Sequence, residues 1–300
     1  MARNITLDLP GTRFVIVHYH IFKNGGTTIE SILHREFGER FATLHGPSDN
    51  SVLTGEHLAS FLHEHCGISA VSSHHLRYPR PSIPGTVIFD CCFLRHPLDR
   101  LVSVYTYLHR INSSDPLSRR ARRQTPRDFM GQTLKESPHL VSDVQVTQLA
   151  NAGAFFRPAN ERDLDRATQV ISDMALPGLV DMFSESMVAA EYFLQPAFPG
   201  LRLDHTPLNV SRPSETHHRN HKLEDRLVEL WGPDLYADLA RLNQFDLELY
   251  HRAQSEVRRR LFLVPGLDDK LVNFQARCDR LASLFAANLT AAPPLQLQAL

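Results

Sequence analysis

The sequence predicts an α/β fold built around a parallel sheet, and three features support that prediction. Short β-branched segments alternate with amphipathic helical patterns over the first 110 residues. The strongest strand, at residues 86–94, is apolar on both faces, as expected of a parallel strand buried between helices. From residue 127 onward the patterns are mostly helical. We therefore expect a central parallel sheet flanked by helices, with a helix-rich C-terminal half.

Two short segments supply the first strands of this sheet. Residues 13–19 form a Val- and Ile-rich run of strand length, and the polar turn Lys23-Asn24-Gly25-Gly26 follows it. The next helix has Thr27 and Glu30 at the spacing of an N-terminal capping box. A second helix is predicted at residues 56–66, and a weak strand at 70–73 ends at His74-His75. The glycine turn and the histidine pair thus each follow a strand.

The strongest strand leads directly into another helix. Arg95 stands at the C-terminal end of the strand, and Pro97 suits the first position of a helix. One apolar stripe marks the core-facing side of that helix: Leu98, Leu101, Val102, Tyr105 and Leu108. Residues 110–127 then combine serines and prolines with a group of arginines, Arg110, Arg119, Arg120, Arg122 and Arg123. We expect a mobile loop there, and consider both a solvated surface and contact with an acidic substrate for its arginines.

The remaining segments are predicted to be helical, apart from a short strand near Leu179-Val180. The predicted helices cover about 127–136, 142–152, 160–174, 184–194, 223–231, 235–260 and 267–289. Residues from Ala291 to Leu300 have the composition of a loose tail. We therefore divide the chain into a main domain at 1–265 and a C-terminal helix with its tail at 266–300.

Composition excludes several classes of protein. Thirty-two basic and 33 acidic residues give a net charge of −1, and 42% of the residues are hydrophobic. These values argue against a disordered chain and against a broadly basic surface for nucleic acid. The four cysteines match neither a zinc pattern nor a disulfide framework. With no targeting signal and no apolar run long enough to span a bilayer, we expect a cytoplasmic protein without membrane or nucleic-acid partners.

The glycine turn between the first strand and its helix has the features of an anion site. Glycines allow close approach to backbone N–H groups, and the start of a helix favours negative charge. Lys23 adds a positive charge, and Thr27 and Thr28 add hydroxyl groups. The lysine precedes the glycines, unlike the Walker sequence, which disfavours a magnesium nucleotide. A simple strand-to-helix turn without a ligand is the alternative interpretation.

Arg95 and Ser103 form a second candidate anion site. An arginine at the end of a strand and a polar residue on the next helix both face the crevice where α/β sheets bind ligands. A guanidinium with a hydroxyl group suits a phosphate. The alternative is an ion pair between Arg95 and Asp99, with a solvated Ser103.

These two segments together resemble the PAPS-dependent sulfotransferase superfamily, where PAPS is 3′-phosphoadenosine 5′-phosphosulfate. The similarity is to the branch of carbohydrate 2-O-sulfotransferases and their soluble bacterial relatives. His20-Ile-Phe-Lys-Asn-Gly-Gly-Thr-Thr-Ile29 resembles the 5′-phosphosulfate loop, and the segment from Phe93 to Tyr105 resembles the 3′-phosphate element R-x-P-x-x-R-x-x-S-x-Y. Weaker similarities occur at residues 142–149, 178–186 and 208–211.

The resemblance implies a P-loop-like sulfotransferase fold with PAPS as donor. It assigns the 5′-phosphosulfate to the loop residues Lys23, Asn24, Gly25, Gly26, Thr27 and Thr28. It assigns the 3′-phosphate to Arg95 and Ser103. Asn24 and Phe22 depart from the residues that are usual in the family, but the lysine and the glycine pair are present.

Sulfuryl transfer requires a cation at the leaving oxygen and a base for the acceptor hydroxyl. Lys23 is the candidate cation. The resemblance places a catalytic histidine after the second strand, where we favour His74 over His75, with Glu30 or another histidine as a further alternative. No metal is required, and the cluster His217, His218 and His221 is expected to be a solvated loop. Asp143 and Gln145 are candidates for lining the acceptor pocket.

Three functions follow from these patterns. The first is a PAPS-dependent sulfotransferase acting in line on a hydroxyl of a sugar or small metabolite, with 3′,5′-adenosine bisphosphate (PAP) as product. The second is a P-loop nucleotide kinase or NTPase, which would need a Walker lysine and a magnesium-binding aspartate. The third is a non-catalytic PAPS- or PAP-binding interaction module. The long C-terminal helices are a candidate surface for homo-oligomers.

Overall fold

The structure, a computed structural model, describes residues 11–48, 50–150, 157–206 and 219–291. Its five-stranded sheet contains β1 (Arg13–Tyr19), β2 (Phe41–Thr43), β3 (Ala70–Ser73), β4 (Thr86–Leu94) and β5 (Leu176–Leu179). The strand order is β2-β3-β1-β4-β5, and every neighbouring pair is parallel. The predicted α/β fold with a parallel sheet is therefore confirmed. Only β2 was missed, because three residues are too short to show a period.

The helices flank this sheet and fill the C-terminal half. They are α1 (Gly26–Phe37), α2 (Gly55–Glu64), α3 (Pro97–Arg110), α4 (Pro116–Ala121), α5 (Pro126–Glu136), α6 (Val144–Ala150), α7 (Glu161–Asp173), α8 (Phe183–Leu194), α9 (Arg219–Trp231), α10 (Pro233–Leu242), α11 (Gln244–Phe262) and α12 (Leu267–Ala291). No helix in the described residues is both long and apolar enough to cross a membrane.

Two details differ from the sequence prediction. The expected mobile loop at 110–127 contains α4, because Asp115 caps the Ser118 amide and Pro116 stands at the first helical position. The expected helix at 235–260 is two helices, α10 and α11, separated at the buried Asn243. The tail beyond residue 291 and the segment 208–211 lie outside the described residues.

The core lies on both faces of the sheet. On one face, α1, α8 and α12 pack against Ile16, Cys91 and Phe93, with Phe274 of α12 fully buried. On the other face, α2, α6, α7 and α11 pack against alternate strand residues such as Val17 and Leu94. Alternate residues of β4 thus enter opposite core clusters, which accounts for its apolar sequence on both faces. A third cluster around Trp231 joins α3, α5, α9 and α10.

The strand register determines where the polar loops meet. His18 of β1 pairs with Ser72 of β3 and with Cys91 of β4. Because the three strands are parallel, their C-terminal ends lie at the same edge of the sheet. The loop after β1, the histidines after β3 and Arg95 after β4 are therefore brought to one edge.

Candidate active site

The loop between β1 and α1 has the backbone of an anion-binding turn. Lys23 and Gly25 both adopt left-handed conformations, with φ angles of 68° and 80°. Alternating handedness of this kind turns successive N–H groups toward one side. Among the described residues, the amides of Gly26 and Thr27 at the start of α1 have no hydrogen-bond acceptor. The turn therefore presents N–H groups that can donate hydrogen bonds to a bound anion.

The predicted capping box at Thr27 is wrong. Gly25 is the N-cap of α1, no side chain caps the helix, and Thr27 is an exposed residue within its first turn. Glu30 instead turns toward the sheet, where its Oε1 accepts hydrogen bonds from His20 (2.9 Å) and Ser72 (2.8 Å). Spacing alone could not reveal these bonds, because one partner follows β1 and the other lies in β3.

Gly26 is required by the packing of His20. A Cβ atom at residue 26 would lie 1.8 Å from the His20 Nε2 atom, so any larger residue would displace the imidazole. The glycine pair thus has two causes: left-handed backbone at Gly25 and a side-chain contact at Gly26.

A chain of hydrogen bonds lies between α1 and the sheet. His18 Nδ1 is 2.9 Å from Ser72 Oγ, and Ser72 donates to Glu30. Burial raises the pKa of Glu30, but the hydrogen bonds from His20 and Ser72 prevail, and its pKa lies below the ordinary value. The Oε1 atom of Glu30 is already engaged by two donors, His20 and Ser72, which disfavours Glu30 as the alternative base.

His74 has the tautomer that a general base needs. Its Nδ1 lies 3.1 Å from the carbonyl oxygen of His20, and a carbonyl only accepts, so Nδ1 carries the hydrogen. In the neutral ring the Nε2 lone pair is then free to take a proton. Burial and the neighbouring His20, whose ring centroid is 3.6 Å away, lower the pKa of His74 to about 4. His74 is therefore neutral at physiological pH.

His75 has the opposite arrangement. It is buried, and its Nδ1 accepts a 2.7 Å hydrogen bond from the Gly46 amide. The hydrogen of a neutral ring must then be on Nε2, which leaves no lone pair to accept a proton. Of the two predicted histidines, the geometry favours His74 as the base.

Lys23 lies beside aromatic rings. Its Nζ atom is 4.4 Å from the centroid of Tyr107 and 5.7 Å from that of Phe22, and within the described part of the chain it has no carboxylate partner. Burial lowers the pKa of Lys23, and the charges of Arg95 and Arg110 lower it further. The Phe22 ring also contacts His74 at 6.4 Å. Lys23 and His74 thus both lie near the pair of rings formed by Phe22 and Tyr107.

Arg95 is held firmly at the end of β4. Its guanidinium pairs with Asp99 at 2.7 Å, and its Nη1 donates to the Lys23 carbonyl oxygen at 3.2 Å. The ion pair with Asp99 that we considered as an alternative is therefore present. Ser103 is half-buried two turns into α3 and makes no side-chain hydrogen bond to another described residue. Arg95 thus reaches across to the loop after β1, whereas nothing observed assigns a partner to Ser103.

Asn24 points into the protein rather than toward a ligand. Its side chain donates to the Phe93 carbonyl (2.8 Å) and to Gln145 (2.7 Å), and its amide donates to Ile21. Thr28 is also buried, and its amide donates to Gly25. These two loop residues shape the turn through their protein contacts.

Gln145 and Asp143 do not line an open pocket, contrary to our prediction. Gln145 is fully buried, and Asp143 is 7% exposed. The Gln145 side chain bonds to Asn24, to the backbone of Arg95 and to Asp246 of α11. Sequence reasoning missed this role, since residues 24, 95, 145 and 246 share no spacing.

The arginine segment is largely engaged by protein groups. Arg120 pairs with Glu136 and donates to Thr133, and Arg122 donates to the carbonyls of Ile111 and Ser113. Arg119 and Arg123 are exposed, and together with Gln132 they line one cleft. Only part of this segment is therefore the solvated surface that the sequence predicts.

One group of histidine and glutamate side chains lies close enough together to be considered as a metal site. Among residues 11–48, 50–150, 157–206 and 219–291, the group His18, His20 and Glu30 places potential ligand atoms within 4.8 Å of one another. Hydrogen bonds engage the Nδ1 atoms of His18 and His20 and the Oε1 atom of Glu30 within this group: His18 meets Ser72, and both His20 and Ser72 meet Glu30. The predicted loop cluster of His217, His218 and His221 lies outside the residues whose side chains are described.

Comparison with known proteins shows the family of this chain. The family model described as "Sulfotransferase family" matches residues 11–251, from before β1 to the middle of α11. An uncharacterized protein of Archaeoglobus fulgidus is 25% identical over 252 residues, which cover 80% of this chain and 96% of that protein. The family match includes the loop after β1, the histidines after β3 and the Arg95 helix. Since it spans well over half of the chain, this protein belongs to the sulfotransferase family.

Proposed function

We propose that this protein transfers the sulfuryl group of PAPS to a hydroxyl group of a sugar or small metabolite. Family membership supports sulfuryl transfer in general and implies PAPS as the donor. The amides after β1 and Lys23, which have no acceptor and no carboxylate partner among the described residues, and the guanidinium of Arg95 fit a nucleotide with anionic groups at both its 5′ and 3′ positions. The single observation that carries the catalytic assignment is the tautomer of His74.

His74 is the proposed base. As the acceptor oxygen bonds to sulfur, its proton passes to His74 Nε2, while the bond from sulfur to the bridging oxygen breaks. The bond between Nδ1 and the His20 carbonyl keeps the ring oriented throughout. Glu30, whose charge opposes the lowering of the His74 pKa, favours the imidazolium that forms. A positioned base of this kind typically contributes about 10²–10⁴-fold to the rate.

Lys23 is the proposed cation at the leaving oxygen. Negative charge develops on that oxygen as the sulfur–oxygen bond breaks, and a nearby ammonium lowers the barrier. Lys23 carries this charge without a carboxylate partner among the described residues, so no ion pair must be broken for it to act. Until it dissociates, the bound bisphosphate product has its charge balanced by Lys23 and Arg95.

Thermal unfolding with three ligand conditions tests this proposal. The protein is heated with PAP, with ATP and magnesium, and with neither. A ligand at about 100 times its Kd stabilises a protein by about 2.7 kcal/mol, or roughly 5 °C here. We expect PAP to give such a shift and ATP to give little. Stabilisation by ATP alone would contradict the sulfotransferase proposal and favour a kinase or NTPase.

Release of PAP from PAPS then separates an enzyme from a binding module. Labelled PAPS is incubated with panels of sugars, phenols and alcohols, and PAP and labelled product are measured. Transfer to at least one acceptor that is lost in His74→Ala is the expected result. A protein that PAP stabilises but that transfers to no acceptor would be an interaction module.

A further inference from the structure

Gln145 joins the two segments that the proposed function assigns to the donor. Its Oε1 accepts hydrogen bonds from Asn24 Nδ2 (2.7 Å) and from the Arg95 amide (3.0 Å). Its Nε2 donates to the Arg95 carbonyl oxygen (2.9 Å). One fully buried amide therefore holds the loop after β1 and the end of β4 together.

We propose that Gln145 is a positioning residue that sets the separation between the 5′ and 3′ anion sites. It would thereby give the protein its preference for a 3′,5′-bisphosphorylated nucleotide over a 5′-monophosphate. This inference rests on the proposed function, because that function assigns the two sites to one donor.

Asp246 fixes the orientation of the Gln145 amide. One carboxylate oxygen of Asp246 accepts from the Gln145 backbone amide (3.0 Å) and from Nε2 (3.3 Å). Since the Arg95 amide only donates, the glutamine oxygen must face it, and the NH₂ end then faces Asp246 of α11. The other Asp246 oxygen accepts from the Val146 amide at 2.8 Å, which anchors the start of α6. The bridge thus has a rigid base on α11.

The bridge contacts the backbone of Arg95 on one side and the side chain of Asn24 on the other. Asn24 lies between Lys23 and Gly25, whose left-handed conformations shape the turn, and its side chain also holds the Phe93 carbonyl at the end of β4. Arg95 is held at both its amide and its carbonyl oxygen. Loss of the Gln145 side chain would leave the Arg95 amide and one Asn24 contact unmade in a buried place. The bonds of Asn24 to the Phe93 carbonyl and of Arg95 to the Lys23 carbonyl would remain, so we expect a limited shift of the two loops relative to each other without unfolding.

A two-site ligand senses that movement more than a one-site ligand. A monophosphate engages only the turn after β1, which keeps its own backbone geometry. PAP must reach both the turn and Arg95 at once, so its affinity depends on the distance between them. A change in Gln145 should therefore lower PAP affinity selectively, whereas general destabilisation would lower both affinities together.

The experiment compares PAP and adenosine 5′-monophosphate by titration calorimetry. The variants are Gln145→Met, which keeps length and volume, and Asn24→Ala, which removes the loop arm of the bridge. Asn243→Ala is the matched control, because buried Asn243 bonds at the same α6–α11 interface but contacts neither loop. Urea unfolding of each variant measures its stability separately.

We expect Gln145→Met to weaken PAP binding by about 10–100-fold, the scale of one charge-assisted phosphate contact, and to change monophosphate binding by less than about twofold. Asn24→Ala should shift the ratio in the same direction by less, and Asn243→Ala should leave it unchanged. An unchanged ratio in both bridge variants, or an equal change in the control, would overturn the inference. A wild-type protein with no preference for PAP would contradict the proposed function instead.

Discussion

Two strand-to-helix junctions of this protein carry positive charge in opposite ways. After β1, Lys23 lies against the Tyr107 ring and has no carboxylate partner in the part of the chain that the structure describes. After β4, Arg95 pairs with Asp99 and also donates to the backbone of the other junction. The proposed function assigns the flexible ammonium to charge that develops in the reaction and the planar guanidinium, which is held in place by its partners, to binding of the donor.

The difference extends to the surroundings of each cation. Burial and two neighbouring cations lower the pKa of Lys23, so the free protein holds this charge at some cost. A bound anion would relieve that cost. Arg95 already has an anion, and a phosphate at this site must share the guanidinium with Asp99. The junction after β1 should therefore respond to ligand more strongly than the junction after β4.

The largest expected effect comes from removing the free cation. Lys23→Met keeps a long side chain but removes the charge, and we expect turnover to fall by about 10²–10³-fold, as for loss of one group that stabilises transition-state charge. PAP release from PAPS with the best acceptor is the measurement. Arg110→Met, which removes a nearby exposed cation of α3, is the control and should retain most activity. Near-normal turnover of Lys23→Met would break the comparison between the two junctions.

Removing the fixed cation should affect binding rather than the rate at saturation. Arg95→Met is expected to weaken PAP binding by about 10–100-fold, because a charge-assisted contact is lost, and to leave adenosine 5′-monophosphate within about threefold. Calorimetric titration measures both. Asp99→Asn retains the arginine and should weaken PAP much less. If Arg95→Met lowered both affinities equally, the 3′ assignment would fail.

The pH dependence tests the base that lies beside the free cation. In the proposed mechanism neutral His74 is the active form, so activity should be lost as pH falls through its pKa of about 4. A histidine with an ordinary pKa near 6.5 would be only about 3% neutral at pH 5. We therefore expect the rate at pH 5 to stay within about twofold of the rate at pH 7. A rate that falls about 30-fold over that interval would show that burial does not control His74.

The smallest expected effect concerns the ring beneath Lys23. A partly exposed cation–π contact is worth about 0.5–1 kcal/mol, so Tyr107→Leu should free Lys23 and tighten PAP binding by up to about fivefold. Tyr107→Phe keeps the ring and should bind PAP as the wild type does. Weaker binding in Tyr107→Leu alone would mean that the ring supports Lys23 in the bound state, which would revise the contrast drawn above.

Most strands and helices were predictable because each has a local signal. The apolar run of β4 and the 3.6-residue stripe of α3 depend only on neighbours along the chain. The short strand predicted near Leu179-Val180 lies at Leu176–Leu179, so it begins and ends earlier than predicted. The division between α10 and α11 was missed because the helical pattern continues through Asn243, whose side chain bonds to Val141 about 100 residues earlier.

The candidate site was predictable only in part, for the same reason. The loop of Lys23 to Thr28 and the Arg95 element stand at strand ends and carry the sequence patterns on which the resemblance rests. The distinction between His74 and His75 depends on which backbone group each ring meets, and adjacent residues share every feature of sequence. The roles of Glu30 and Gln145 depend on contacts between distant segments, which the folded sheet alone brings together.

The contact between Gly26 and His20 also bears on how sequences of this fold can vary. The ring occupies the place of the missing methyl group, so residues 20 and 26 share one volume. A library randomised at both positions should accept alanine or serine at 26 only together with a small residue at 20. Such pairs would lose the bond to Glu30 and move the carbonyl that orients His74. Gly26, which belongs to the candidate anion-binding loop, thus also helps to keep His20 in place and, through the His20 carbonyl, the orientation of His74.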